Sequence, residues 1–244
     1  NLFVSNALIN MYTKRGMLEK ARDVFDKLPC HDVVSWNALI TGYTDHEYDE
    51  EALMCFEKMQ LEDGIKPDVV SFVCILRACG IIGALDKGEE IRSMICQMGL
   101  FVNNLSIGNA VVDMYAKCAM LTKAQEVLEE LHVRDVATWN TLIAGYVQQG
   151  QYHEALTCFE RMQSEGLSPD AVTLICILKA CGNIRAVSIG EKIHEKIIAS
   201  GMRGKEDVML GTALVDMYVK CGALEKAQEV IEELQARDVV SWSV

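Results

Sequence analysis

Apolar positions along the chain recur at helical spacing, in short runs separated by glycine. The stretch from Val136 to Asp170 carries the pattern most clearly. Trp139, Leu142, Ile143 and Tyr146 fall on one face of a helix, and Leu156, Phe159 and Met162 on one face of a second. Gly150 separates the two. Gly166 stands where the second helix should stop, and Pro169 bars its continuation. Thr138 is placed to cap the first helix through its hydroxyl. Helices this short are not stable alone, so each apolar face requires a neighbour.

The neighbours are copies of the same pattern. Trp36, Trp139 and Trp242 lie 103 residues apart, and so do the pairs Met11-Tyr12, Met114-Tyr115 and Met217-Tyr218. The long repeat divides into three related units. The first round is 2–32, 33–68 and 69–104, and the second is 105–135, 136–170 and 171–207. A third round opens with 208–238, and 239–244 begin another unit. Fixed periods of this size predict an all-α, right-handed superhelical solenoid of stacked hairpins, two helices per unit. The first residues already lie inside a unit and no signal or transit peptide is visible, so the sequence reads as a segment excised from a longer protein.

Composition adds two constraints. Eight of the ten cysteines recur in register (Cys55/Cys158, Cys118/Cys221, Cys74/Cys176, Cys79/Cys181), as small core residues would. None stands in a zinc spacing, so free thiols in a reducing compartment and no metal are expected. The run Val69–Leu85 imitates a membrane span, but Arg77, Gly80 and Gly83 interrupt it, and it reads as a buried helix. The second constraint is charge. The net charge is −12 and the pI about 4.9, which opposes a nucleic-acid ligand. Location matters more than the sum. On the first helices Lys14, Arg15, Arg77, Lys117, Lys179 and Lys220 outnumber Asp45, Asp113 and Asp216, while pairs such as Glu50-Glu51 and Glu89-Glu90 load the second helices.

Two further positions recur. The fifth residue of the units 2–32, 33–68, 105–135, 136–170 and 208–238 is Asn6, Asn37, Asn109, Asn140 and Thr212. The last is Asp32, Asp68, Asp135, Asp170 and Asp238. An Asn in a helix's first turn carries a mild propensity cost. The residues alone support two readings equally. Aspartates before a helix suit its dipole and Asn bonds local backbone, or the pair contacts a ligand.

The phrases VVSWNALITGY, VATWNTLIAGY, NALINMYTKRG and NAVVDMYAKC, with endings GIKPD and GLSPD, resemble pentatricopeptide repeats of the plant type, in which P, L and S units alternate. The resemblance covers essentially the whole chain in the order S-P-L-S-P-L-S and the start of a P. It departs from the pattern in a one-residue insertion near Asp63 and in the long loop at 203–207. It implies single-stranded RNA binding with one base selected per S or P unit by the fifth and last residues, Asn with Asp favouring uracil and Thr with Asp guanine. Asn offers both a donor and an acceptor to a pyrimidine edge. The implied strand is 5′-UUNUUNG-3′.

The resemblance also implies that Phe3, Val34, Val70, Ala137, Val172 and Met209, the second residues of units, stack on bases, with Ser106 a departure. Ordinary hairpin packing is the rival for Val34, Val70 and Val172. Lys14, Lys117 and Lys220, in one register, serve either as phosphate contacts or as solvated lysines closing a helix. The L units carry Val73 and Ile175 at the fifth position and read no base. In the family such units associate with accessory organelle editing factors. The expectation is therefore the recognition segment of an organelle cytidine-to-uridine editing factor in a chloroplast or mitochondrion, a monomer without membrane contact. The alternative is a tetratricopeptide-like scaffold for protein partners. An enzyme is not expected. His46, His153 and His194 are each followed directly by Glu rather than standing in H-x-E, and Glu89 stands where a phosphate loop requires Lys.

Overall fold

The computed structural model describes residues 2–101, 104–200 and 205–241, with side chains given for all of these except 200, 205–207 and 233–241. Among them every regular element is an α-helix. Two compact units divide the chain, Asn1–Arg134 and Asp135–Val244.

The first unit holds α1 (Leu2–Lys14), α2 (Leu18–Asp26), α3 (Val33–Asp45), α4 (Asp49–Leu61), α5 (Val69–Ile82), α6 (Leu85–Gln97), α7 (Leu105–Lys117) and α8 (Leu121–Glu130). The odd-numbered helices pack side by side in one layer. Each even-numbered helix packs back on its own hairpin partner, and α2, α4 and α6 also touch the first helix of the next hairpin. The even-numbered helices do not approach one another closely. Glycines permit the close approach of the odd-numbered helices. A Cβ on Gly42 of α3 would lie 2.3 Å from a Thr13 methyl of α1, and one on Gly80 of α5 would lie 3.1 Å from the Met114 Cα of α7.

The second unit repeats the arrangement with α9 (Val136–Gln148), α10 (Tyr152–Ser164), α11 (Ala171–Ile184), α12 (Val187–Ser200), α13 (Lys205–Cys221) and α14 (Leu224–Ser241). α9, α11 and α13 form its tight layer. Trp242 and Asn1 lie outside the described residues, and α14 runs through residue 238.

The apolar faces read from the sequence are the core. Trp139, Leu142, Ile143 and Tyr146 are buried, as are Leu156, Phe159 and Met162. Met114 and Met217 are fully buried, while Met11 is exposed. The helix starts differ from expectation in one respect. Thr138 does not cap α9. Asp135 does, its side chain accepting from the Thr138 backbone N–H, while the Thr138 hydroxyl oxygen accepts from the Asp135 backbone N–H. Three residues inside the helix a hydroxyl completes a capping box but cannot be the cap. Asp32, Asp68 and Asp170 repeat this box with Ser35, Ser71 and Thr173.

Candidate nucleic-acid interface

Each predicted Asn stands in the first turn of an odd-numbered helix, and Asp32, Asp68, Asp135 and Asp170 are the N-caps of α3, α5, α9 and α11. For three of these aspartates the cap brings the Asn and Asp side chains together. The Asn37 side-chain amide donates to Asp68 Oδ1 at 2.9 Å. Asn140 donates to both Asp170 oxygens at 2.9 and 3.0 Å. Asn6 donates to Asp32 over longer distances, 3.3 and 3.5 Å. Asn109 lies half-buried on α7 in the first unit, and Asp135 caps α9 in the second. Thr212 is exposed on α13, its hydroxyl donating to the Val208 carbonyl at 2.8 Å. The Asp238 side chain lies outside the described residues.

A second contact was not expected from the sequence. The Ser71 hydroxyl donates to Asn37 Oδ1 at 2.6 Å, and the Thr173 hydroxyl to Asn140 Oδ1 at 2.5 Å. The Asn amide in these two units is therefore gripped at both ends. Its nitrogen faces a carboxylate and its oxygen a hydroxyl, which fixes the amide orientation. The spacing Asp-x-x-Ser/Thr at the unit junction marks the capping hydroxyl but not the acceptor it takes.

The same bonds set the charge of the carboxylates. Burial alone would raise Asp68. It is outweighed by bonds from the Ser71 amide, the Asn37 side chain, the Ser71 hydroxyl and the Val70 amide, which together hold the carboxyl below its ordinary value. Asp170 is lowered in the same way, burial being outweighed by Thr173 and Asn140. Both are anionic acceptors at neutral pH.

Beside these pairs stands a row of exposed apolar side chains. Val34, Val70 and Val172 are each about half exposed, at 51%, 50% and 54%. Phe3 and Met209 are more open, and Ala137 and Ser106 are exposed. About half of each of these valines faces solvent and the other half is covered by the protein. In the L units Val73 and Ile175 are half-buried.

Lys14, Lys117 and Lys220 are exposed near the ends of their helices. Lys117 pairs with Asp113 and Lys220 with Asp216, each at 2.7 Å one turn back. Arg77 pairs with Asp45 at 3.2 Å. Such exposed pairs are weak and exchangeable. The even-numbered helices are stitched differently, through bridges across the gaps between them. Lys87 reaches Glu57, Arg92 reaches Glu130, and Lys123 and Lys226 reach Glu89 and Glu191 in equivalent places.

The in-register cysteines are buried or half-buried, whereas Cys30 and Cys96, which do not recur, are exposed. Burial, with the Cys118 thiol close by, pushes Cys79 up to about 12, and burial beside Cys221 does the same to Cys181. Such thiols are inert at neutral pH. No group of three or more His, Cys, Asp or Glu among the described residues is arranged to hold a metal ion. No described helix is long and apolar enough to cross a membrane.

Stacked helical hairpins with a repeated polar pair at their junctions define a helical-repeat protein. The chain belongs to the pentatricopeptide repeat family. The model of the PPR repeat family matches residues 31–80 and 134–183, and the PPR repeat model matches 3–33, 109–136 and 212–239. Pentatricopeptide repeat-containing protein At4g38010 of Arabidopsis thaliana is 38% identical over 100% of this chain and 42% of its own length. The mitochondrial protein At2g03380 of the same plant is 35% identical over 97% of this chain and 34% of its own. The chloroplastic protein At1g11290 is 35% identical over 98% of this chain and 29% of its own. The chain thus spans less than half the length of these relatives. Among solved structures, the pentatricopeptide repeat protein PPR10 in complex with an 18-nt psaJ RNA element covers 98% of this chain and 35% of its own, with a TM-score of 0.76 and 22% identity. At that identity the likeness is one of fold.

Proposed function

We propose that the chain binds single-stranded RNA along its odd-numbered helices, one base per S or P unit, as the recognition segment of an organelle cytidine-to-uridine editing factor. The observation that carries this reading is the fixed amide of Asn37 and Asn140. Each is held at one end by its own unit's closing aspartate and at the other by a hydroxyl of the next unit, whose second residue is a half-exposed valine.

In this reading Asn6/Asp32, Asn37/Asp68, Asn109/Asp135 and Asn140/Asp170 each select U, and Thr212/Asp238 selects G. The bases stack on Phe3, Val34, Val70, Ala137, Val172 and Met209, base–apolar contact tolerating any sequence. Lys14, Lys117 and Lys220 meet phosphates, Lys14 most directly because it has no carboxylate one turn back to compete. The preferred strand is 5′-UUNUUNG-3′, with the L units silent. Relatives named chloroplastic and mitochondrial support an organelle setting. Multiple organelle editing factors would dock at the L units. An open groove of about 530 Å³, lined by Leu156, Phe159, Ile189 and Ile193, supports that, since it lies between α10 and the L-unit helix α12. In the first round Lys87 takes the place of Ile189 and bridges Glu57 instead.

The acidic even-numbered helices favour a second reading, a scaffold for protein partners alone. Selection of bound strands from a pool of random seven-nucleotide RNAs separates the two. Enrichment of U at the first, second, fourth and fifth places supports RNA recognition. Retention of no RNA above background supports the scaffold.

A further inference from the structure

The three Asn/Asp pairs described within single units are not equivalent, and the difference lies in a residue outside the pair. All three aspartates form the same capping box. Asp32 takes Ser35, Asp68 takes Ser71 and Asp170 takes Thr173, each backbone amide donating to the hydroxyl oxygen at 2.9 to 3.2 Å. The hydroxyl protons go to different places. Those of Ser71 and Thr173 have the preceding unit's Asn oxygen as the nearer acceptor, at 2.6 and 2.5 Å, against 3.1 and 2.8 Å to the cap's own Asp Oδ1. That of Ser35 goes to the Asp32 carbonyl at 2.8 Å, and Asn6 Oδ1 is left buried with no partner.

We infer that the third residue of the following unit, Ser71 or Thr173, is a specificity-positioning residue that makes Asn37 and Asn140 reject cytosine. The inference rests on the proposed reading that these asparagines select a pyrimidine. An amide carries two N–H donors and two lone pairs. The aspartate takes one N–H and the hydroxyl takes one lone pair. One donor and one acceptor remain, in an order the protein fixes. Uracil presents an N3–H donor beside carbonyl acceptors. Cytosine presents an N3 acceptor beside an amino donor, and would be met by the reversed amide. Reversal turns Asn Oδ1 onto the aspartate carboxylate, acceptor against acceptor, and breaks the hydroxyl bond. The aspartate alone holds one end of the amide, and the hydroxyl stops the other from swinging. Asn6 lacks that second hold, and its oxygen is closed to solvent, so the first base is read less sharply than the second or fifth.

Ser35 supplies a matched control within the protein, being the same residue in the same capping box without the amide contact. The 244-residue chain and its variants are titrated with 5′-UUNUUNG-3′ strands carrying U or C at the first, second or fifth base, and melted in parallel. For Ser71→Ala the U-over-C ratio at the second base should fall about fivefold, the equivalent of one net hydrogen bond. The ratio at the fifth base should hold, which also reports that the fold persists. Ser71→Thr should restore the second-base ratio, since Thr173 already works in that place. Ser35→Ala should lower the melting temperature by as much as Ser71→Ala does and leave the first-base ratio unchanged. A Ser71→Ala protein that melts like Ser35→Ala and keeps its full second-base preference overturns the inference and leaves the base-reading proposal standing. A wild-type protein indifferent to U and C at both the second and fifth bases overturns the two together.

Discussion

At the residue scale the unit-ending aspartates do two things with one carboxylate. Asp68 and Asp170 each accept the third backbone N–H of the next helix and the side-chain amide of their own unit's Asn. This is why the residues alone could not separate a local role from a ligand-binding one, for the cap is what positions the reader. The arrangement has a pH consequence. Both carboxyls are lowered in the folded chain from an ordinary value of 3.8. A depressed carboxyl contributes stability that is fully present above its unfolded value and lost as pH falls through the folded one. Urea unfolding of wild type and Asp170→Asn should therefore differ by a constant amount from pH 5 to 8, on the order of 1 kcal/mol for a partly exposed site. The difference should shrink below pH 3.8. A gap that widens on acidification would contradict this assignment of the bonds.

At the element scale the helices were legible because their apolar spacing, glycine stops and repeat register agree. The faces of α9 and α10 were readable residue by residue. The hairpin corners were only half legible. Each first-to-second-helix corner needs one residue with positive φ, and Gly16, Gly83, Gly150 and Gly222 supply it at no steric cost. Glu47, Ala119 and Arg185 hold the same place at φ of 65°, 62° and 57°. Nothing in those side chains marks a left-handed residue, so only alignment with the glycine-bearing repeats finds them. The strain is measurable. Ala119→Gly should stabilise the chain by about 0.5–1 kcal/mol in urea unfolding, because the left-handed cost of a Cβ exceeds glycine's loss of chain entropy. The Ser71 and Thr173 hydroxyls were missed for a different reason. Asp-x-x-Ser is identical at Asp32 and Asp68, and only the three-dimensional approach of Asn37 distinguishes the two hydroxyls.

At the scale of the whole molecule the charge of −12 is an obstacle only if it is spread evenly. Much of the acid sits on the even-numbered helices, several of whose carboxylates are already bridged by lysine or arginine from a neighbouring helix. The odd-numbered layer carries Lys14, Arg15 and Lys179, for which no acidic partner stands among the described residues. Modest electrostatic attraction combined with base-edge contacts fits such a surface, and predicts that each unit discriminates its own base independently of the rest. The most direct test is binding of wild type and Asn140→Thr to four 5′-UUNUNNG-3′ strands that differ only at the fifth base. Wild type should prefer U there, by about 1–3 kcal/mol over the wrong base. Asn140→Thr should shift the preference towards G at that base, since a hydroxyl replaces the amide while Asp170 stays. If both proteins rank the four bases identically, Asn140 and Asp170 are a structural pair and the chain does not read RNA through them.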